Sequence, residues 1–172
     1  IYTRSDGIRI NVHSVPSINL QMYNRNISQL FRMVAEAGKD DFWSPIIGAL
    51  KRFRFDVSAA PLSKDILGDK ASMLNEKLKT KIKFCEMVYG SELAVMLNLL
   101  AEQARQISDN VETNLLDFLV DLASKNSSNK LAIAICESRY IPQVEETIRD
   151  IVVLRSCEIV CPSFLRDVNC YA

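Results

Sequence analysis

Cations at helical spacing are the residues of this sequence best placed to do chemistry. Lys77, Lys79, Lys81 and Lys83 flank an apolar stripe over 70–89, and Lys51, Arg52 and Arg54 project from the polar side of an earlier stretch. Such side chains can neutralise successive phosphates, giving an affinity that ignores sequence and falls with salt. A solvated helix face has the same composition, and no interleaved aromatics offer a stacking platform for bases. A second polar group, Ser138 and Arg139, follows the apolar run 131–136. At the carboxyl end of a strand these two could contact a nucleic-acid backbone or a protein partner, although an ordinary strand-terminal turn looks alike.

Other chemistry is poorly provided for. The single histidine, His13, falls on the polar side of the alternating run IRINVHSV, which reads as an exposed strand residue rather than a base or ligand. Cys157 and Cys161 invite a zinc reading, but no second well-spaced pair exists, and residues four apart on a strand lie ~13 Å from one another. The five glycines are scattered, so no phosphate loop is present. Neither G-x-S-x-G nor H-E-x-x-H occurs. Asp40-Asp41 and Glu145-Glu146 are adjacent pairs, which a helix points apart. We therefore expect no catalytic residue, no cofactor-binding residue and no metal ligand in this chain, and no self-contained enzyme.

Composition narrows the class. At 172 residues, nearly half of them apolar, the chain can bury one good core and is too short for two large ones. Twenty-one Lys and Arg balance 21 Asp and Glu, so no bulk field draws it to nucleic acid or an anionic membrane, and any attraction must come from local patches. No apolar run is long enough to span a bilayer, the start does not read as a signal peptide, and no membrane partner is expected. Five cysteines, three of them inside apolar patterns, fit buried thiols of a reducing, cytoplasmic setting. The opening at Ile1, in strand-like sequence, is the start expected of a segment excised from a longer protein.

The elements that would position these residues follow in order. Ile8, Ile10, Val12 and Val15 predict a half-buried strand. Tyr23, Ile27, Leu30, Phe31 and Val34 predict a helix from Ser17 to about Ala37 with Gly38 as its cap. Ser44-Pro45 reads as the start of the next, whose face is Ile46, Ile47, Leu50, Phe53 and Val57, with Phe42 and Trp43 plugging its entrance. A loop from Ala60-Pro61 to Gly68 precedes the helix at 70–89 with Leu74, Leu78, Ile82, Cys85 and Tyr89 inward. Gly90-Ser91 restarts the chain as a central helix through Leu93, Met96, Leu97, Leu100, Ala104 and Ile107. Asp109 and Glu112 resemble a capping box for a helix with Val111, Leu115, Phe118, Leu119 and Leu122 inward.

The stretch 130–162 reads strand, loop, helix, strand. Leu131 to Cys136 is an unbroken apolar run, as for a strand covered on both faces. Pro142 suits a first helical turn, Val144, Ile148, Ile151 and Val152 recur at helical spacing, and Ile159 to Cys161 begin a second strand. With Val111 to Ser124 as the preceding helix and Glu137-Ser138-Arg139 as the loop, the run VETNLLDFLVDLASKNSSNKLAIAICESRYIPQVEETIRD resembles the entry to the second RecA-like domain of superfamily 2 helicases and translocases. The match lies in the order of elements over residues 111–169. A Walker A loop and an acidic metal-binding motif are missing, and the chain stops before the family's arginine motifs.

The expected fold is α/β: a predominantly helical layer carrying one small β-α-β, partial Rossmann or RecA-like unit, about three short strands in all. Leu97, Leu100, Leu119, Ile133 and Ile135 would share the core of a single domain over 1–172, mainly helical over 1–110 after its first strand and holding a helix plus the β-α-β unit over 111–172. The resemblance implies a non-catalytic segment of a nucleic-acid-dependent ATPase, whose ATP and Mg would belong to a longer protein. DNA or RNA phosphates and other domains or subunits of that protein would be its partners. The alternative is a helical protein-interaction module, exposing an apolar patch that could include Trp43, Phe53 and Phe55.

Overall fold

The computed structural model describes residues 15, 17–37, 41–109, 115–125, 132–155 and 157–161. Six α-helices dominate these described residues: α1 (Ile18–Ala37), α2 (Trp43–Ala59), α3 (Lys64–Tyr89), α4 (Ser91–Asp109), α5 (Leu115–Lys125) and α6 (Ile141–Arg149). Two three-residue strands, β1 (Ala132–Ala134) and β2 (Glu158–Val160), form one parallel pair in the register Ala132–Glu158, Ile133–Ile159 and Ala134–Val160.

This corrects the expected α/β class. The described residues are predominantly helical, and their sheet is a single two-stranded ribbon with no three-stranded unit. The apolar runs at 131–136 and 157–161 are long enough to pair once, while the apolar residues elsewhere recur with the helical period and fold accordingly. The strand expected through Ile8, Ile10 and Val12, and the Asp109–Glu112 capping box, fall outside the described residues. β1 is also covered on one face only: Ile133 and Ile135 are buried, whereas Ala132 and Ala134 are exposed.

The first core is a four-helix layer. Tyr23, Ile27, Leu30 and Val34 of α1 meet Leu50 and Phe53 of α2, Leu74 and Leu78 of α3, and Leu93, Leu97, Leu100 and Ala104 of α4. α3 and α4 form a hairpin about Gly90, whose φ of 97° and ψ of 167° lie in a region essentially reserved for glycine. Asn26 Nδ2 donates to Gln103 Oε1 at 2.9 Å, a paired polar contact where α1 crosses α4. Phe42, Trp43, Phe84 and Tyr89 close one end as an aromatic cluster, with Trp43 fully buried beneath it.

A second core joins Ala123 of α5, Ile133 and Ile135, Tyr140, Val144 and Ile148 of α6, and Leu154 to Ala60, Leu62 and Leu67 from the corner between α2 and α3. Leu119 packs against it only partly buried. The corner is thus shared by both halves. The backbone N–H of Ser63 donates to Thr147 Oγ1 of α6 at 3.1 Å, while the Ser63 hydroxyl caps α3 by accepting from the Ile66 N–H at 3.3 Å.

Three element boundaries move. α3 begins at Lys64, so the residues expected as loop up to Gly68 are helical. Ser63 supplies the cap, and a glycine within a helix costs only about 1 kcal/mol, too little to end one that is docked on both cores. α2 begins at Trp43, with Ser44 and Pro45 inside its first turn rather than capping it, and no side chain caps its N-terminus. α6 ends at Arg149, and Val152 lies on a separate 3-10 turn, exposed rather than on the buried stripe.

Candidate functional site

α2 and α3 run antiparallel. Near the start of α2, Phe42 meets Phe84 and Tyr89 from the end of α3, whereas Asp56, near the end of α2, meets Lys70, near the start of α3. Lys70, Lys77 and Lys81 recur at spacings of seven and four, so they share one face of α3 over roughly 16 Å. That face abuts α2. Arg52, Asp56, Lys70 and Lys77 line a common cleft of about 250 Å³, floored by Phe53 and Leu74. Further along the seam the Lys81 ammonium sits 5.6 Å from the Phe42 ring centre.

At the other end the seam is closed by a polar knot. Asp56 is buried and accepts from the Tyr140 hydroxyl through Oδ1 and from Lys70 Nζ through Oδ2, the latter at 3.3 Å. The Tyr140 oxygen in turn accepts from Arg139 Nη2 at 3.0 Å, and Arg139 Nε lies 2.6 Å from Glu137 Oε2. The guanidinium stands over two rings, 4.8 Å from the centre of Tyr140 and 5.7 Å from that of Phe55. Burial first, then the hydrogen bond and charge of Asp56, push the Tyr140 phenol up to about 12, so it remains the donor across the ordinary pH range. A carboxylate out of water is costly unless paired and hydrogen-bonded, and both conditions are met here.

The cations singled out by the sequence divide accordingly. Arg52 and Lys77 come together in the cleft, and Lys81 continues their line. Lys51 lies over the Phe31 ring at 4.8 Å, and Arg54 is close enough to Tyr23 to act on its phenol, so both belong to the α1 side of α2. Lys79 and Lys83 fall on the opposite flank of α3, where Lys79 pairs with Glu76 at 3.9 Å, both largely exposed. Arg139 closes the seam as part of the knot, and Ser138 is exposed beside it. The seven basic residues therefore form a partial line and not one continuous stripe.

The residues that organise the site were not singled out by the sequence reading. Asp56 follows Phe53 by three and precedes Ala60 by four, placing a carboxylate on the buried side of α2. That position was the available signal, since a charge there needs a partner. Lys70 and Tyr140 supply it from far along the chain. Of the proposed patch residues, Trp43 and Phe53 are core, buried by the helical layer, while Phe55 is exposed, with the Arg139 guanidinium 5.7 Å from its ring centre.

Elsewhere the chemistry is thinner. An opening of about 650 Å³ beside α6 is lined by Glu145, Arg149, Asp150, Arg155 and Cys157. Its two carboxylates offset its two arginines, and Arg155 Nε already donates to the Arg149 carbonyl at 2.9 Å. Cys85, Cys136 and Cys157 are free thiols, and burial raises the pKa of Cys85 and Cys157. Among the described residues no group of three or more His, Cys, Asp or Glu could hold a metal ion, and no helix is long and apolar enough to cross a membrane. No protein-family model, curated protein or solved structure matches this chain.

Proposed function

We propose that this chain is a non-catalytic, cytoplasmic segment of a nucleic-acid-dependent, helicase-like ATPase, and that it grips the phosphate backbone of DNA or RNA along the α2–α3 seam. The observation that carries this reading is the convergence of Arg52, Lys70 and Lys77 on one cleft, continued by Lys81 at one end and Arg139 at the other. Arg52 and Lys77 have no ion-pair partner among the described residues, so their charge is free to meet an external anion. The chain as a whole is neutral, so attraction must come from a local patch such as this line. ATP and Mg would be bound elsewhere in a longer protein, whose other domains or subunits would be the protein partners.

Labelled single- and double-stranded DNA and RNA, titrated across a salt series, test the reading. Three to four backbone contacts give a plot of log affinity against log salt with a slope of about −2 to −3.5. A flat plot, or no binding at low salt, rejects it.

A second reading, a helical docking module, is favoured by a different observation. An apolar groove of about 340 Å³ between α1 and α4 is lined by Met33, Val95, Met96 and Leu99. Val95 remains 64% exposed and Leu99 42%, so the groove keeps apolar side chains in water that a partner could cover. Failure of the nucleic-acid titration would leave this reading in place.

A further inference from the structure

We infer that the α2–α3 cleft is a site for a single phosphate group, and that the phosphate competes with Asp56 for Lys70. The inference rests on the backbone-binding reading and specifies how that contact is made. At about 250 Å³ the cleft is smaller than the usual small-molecule pocket of ~300–1,000 Å³, so it suits one tetrahedral phosphate and not a whole nucleotide. Three cations face one carboxylate across it. Arg52 offers a planar fork able to hold two phosphate oxygens, and Lys77 adds a point charge.

Lys70 is the shared member. Its ammonium has three donors, and the structure commits one of them to Asp56 Oδ2. The remaining two are available to an incoming phosphate, but Asp56 repels that phosphate and holds the ammonium back. Tyr140 moderates the contest by donating to the other Asp56 oxygen, which spreads the carboxylate charge away from Lys70. Phosphate affinity is thereby set by a residue of the 3-10 turn after β1, which belongs to the second core.

Two substitutions in the knot then act in opposite directions. Asp56→Asn removes the repelling charge and the competitor, and is expected to tighten inorganic phosphate about fivefold. Tyr140→Phe removes the moderating donor, leaves Asp56 to hold Lys70 harder, and is expected to weaken phosphate about threefold. Arg52→Ala with Lys77→Ala should cost at least about tenfold. A purely structural role for the knot would move both single variants the same way.

The test is calorimetric titration of wild type and these variants with inorganic phosphate, and separately with a short oligonucleotide lacking terminal phosphates, at constant ionic strength. Far-UV circular dichroism of each variant confirms its fold. The inference is overturned if wild type does not bind phosphate, if the double alanine variant binds it unchanged, or if Asp56→Asn and Tyr140→Phe shift affinity in the same direction. Opposite shifts seen with both ligands place backbone phosphate in the cleft. Opposite shifts with inorganic phosphate and no oligonucleotide binding assign the cleft to a free phosphate ester, and remove the backbone reading without removing this one. An oligonucleotide that binds but ignores both knot variants leaves the backbone reading standing and sinks the inference.

Discussion

Replacing Tyr140 with Phe deletes one oxygen from the contact that ties the second core to α2. The ring is 2% exposed and keeps its place, so the substitution opens no cavity. What is lost is chiefly the hydrogen bond donated to a buried carboxylate, worth about 1.5–3 kcal/mol, together with the weaker one accepted from the partly exposed Arg139 guanidinium. Asp56 retains Lys70, which prevents the larger penalty of a wholly unpaired buried charge. In a chain of 172 residues that loss corresponds to a Tm lower by about 3–12 °C. Urea unfolding followed by far-UV circular dichroism measures it directly, and a cycle with Asp56→Asn should return a coupling of about 0.5–3 kcal/mol. A change within about 0.5 kcal/mol, the range of an indifferent surface substitution, would refute the knot as the tie between the two halves.

The Tyr140 phenol rises from its ordinary 10.0 to about 12 on folding, so its contribution is complete below pH 10.0 and is lost as pH climbs through about 12; urea midpoints in that window should fall for wild type and less for Tyr140→Phe. Gly68 lies within α3 with nothing within 4 Å of an added Cβ, so Gly68→Ala should raise stability by about 0.4–1 kcal/mol. Gly90→Ala has the same open space but a φ of +97°, and should lower stability by about 1–3 kcal/mol. Thermal melts that moved both glycine variants in one direction would contradict the assignment of the hairpin. Leu97→Ala, at a fully buried position of the four-helix layer, should cost about 2–5 kcal/mol in the same melts.

The helical layer was legible because its signal is local. Tyr23, Ile27, Leu30 and Val34, like Leu93, Leu97, Leu100 and Ala104, repeat at the spacing that buries one face, and each lies in the core. The two short strands either side of α6 were readable for a similar reason, from an apolar run, a proline at a first turn and a second run, whereas their parallel pairing emerges only in the structure. What periodicity could not convey was how many strands would pair and which faces would be covered, because both depend on what the rest of the chain brings alongside. Hence the three-stranded α/β expectation failed, and Ala132 and Ala134 lie exposed in a run that is apolar throughout. Gly68 misled through its reputation as a terminator, when Ser63, five residues earlier, already carried the cap for α3. The candidate site was half visible. Arg52 and Lys77 could be named from composition, but their meeting required knowing that α2 and α3 run antiparallel, and Asp56, Lys70 and Tyr140 are brought together only by tertiary packing.

The division of the basic residues into a seam and two flanks supplies the most direct test of backbone binding. Charge reversal of the seam, Arg52→Glu with Lys77→Glu and Lys81→Glu, should be compared with reversal of the far flank of α3, Lys79→Glu with Lys83→Glu, using fluorescence anisotropy of a labelled oligonucleotide at low and moderate salt. Seam reversal is expected to abolish binding and flatten the salt dependence, while flank reversal leaves a slope within about one of wild type. Equal losses in the two variants would mean that diffuse charge and not the seam does the binding, and would contradict the proposed interface.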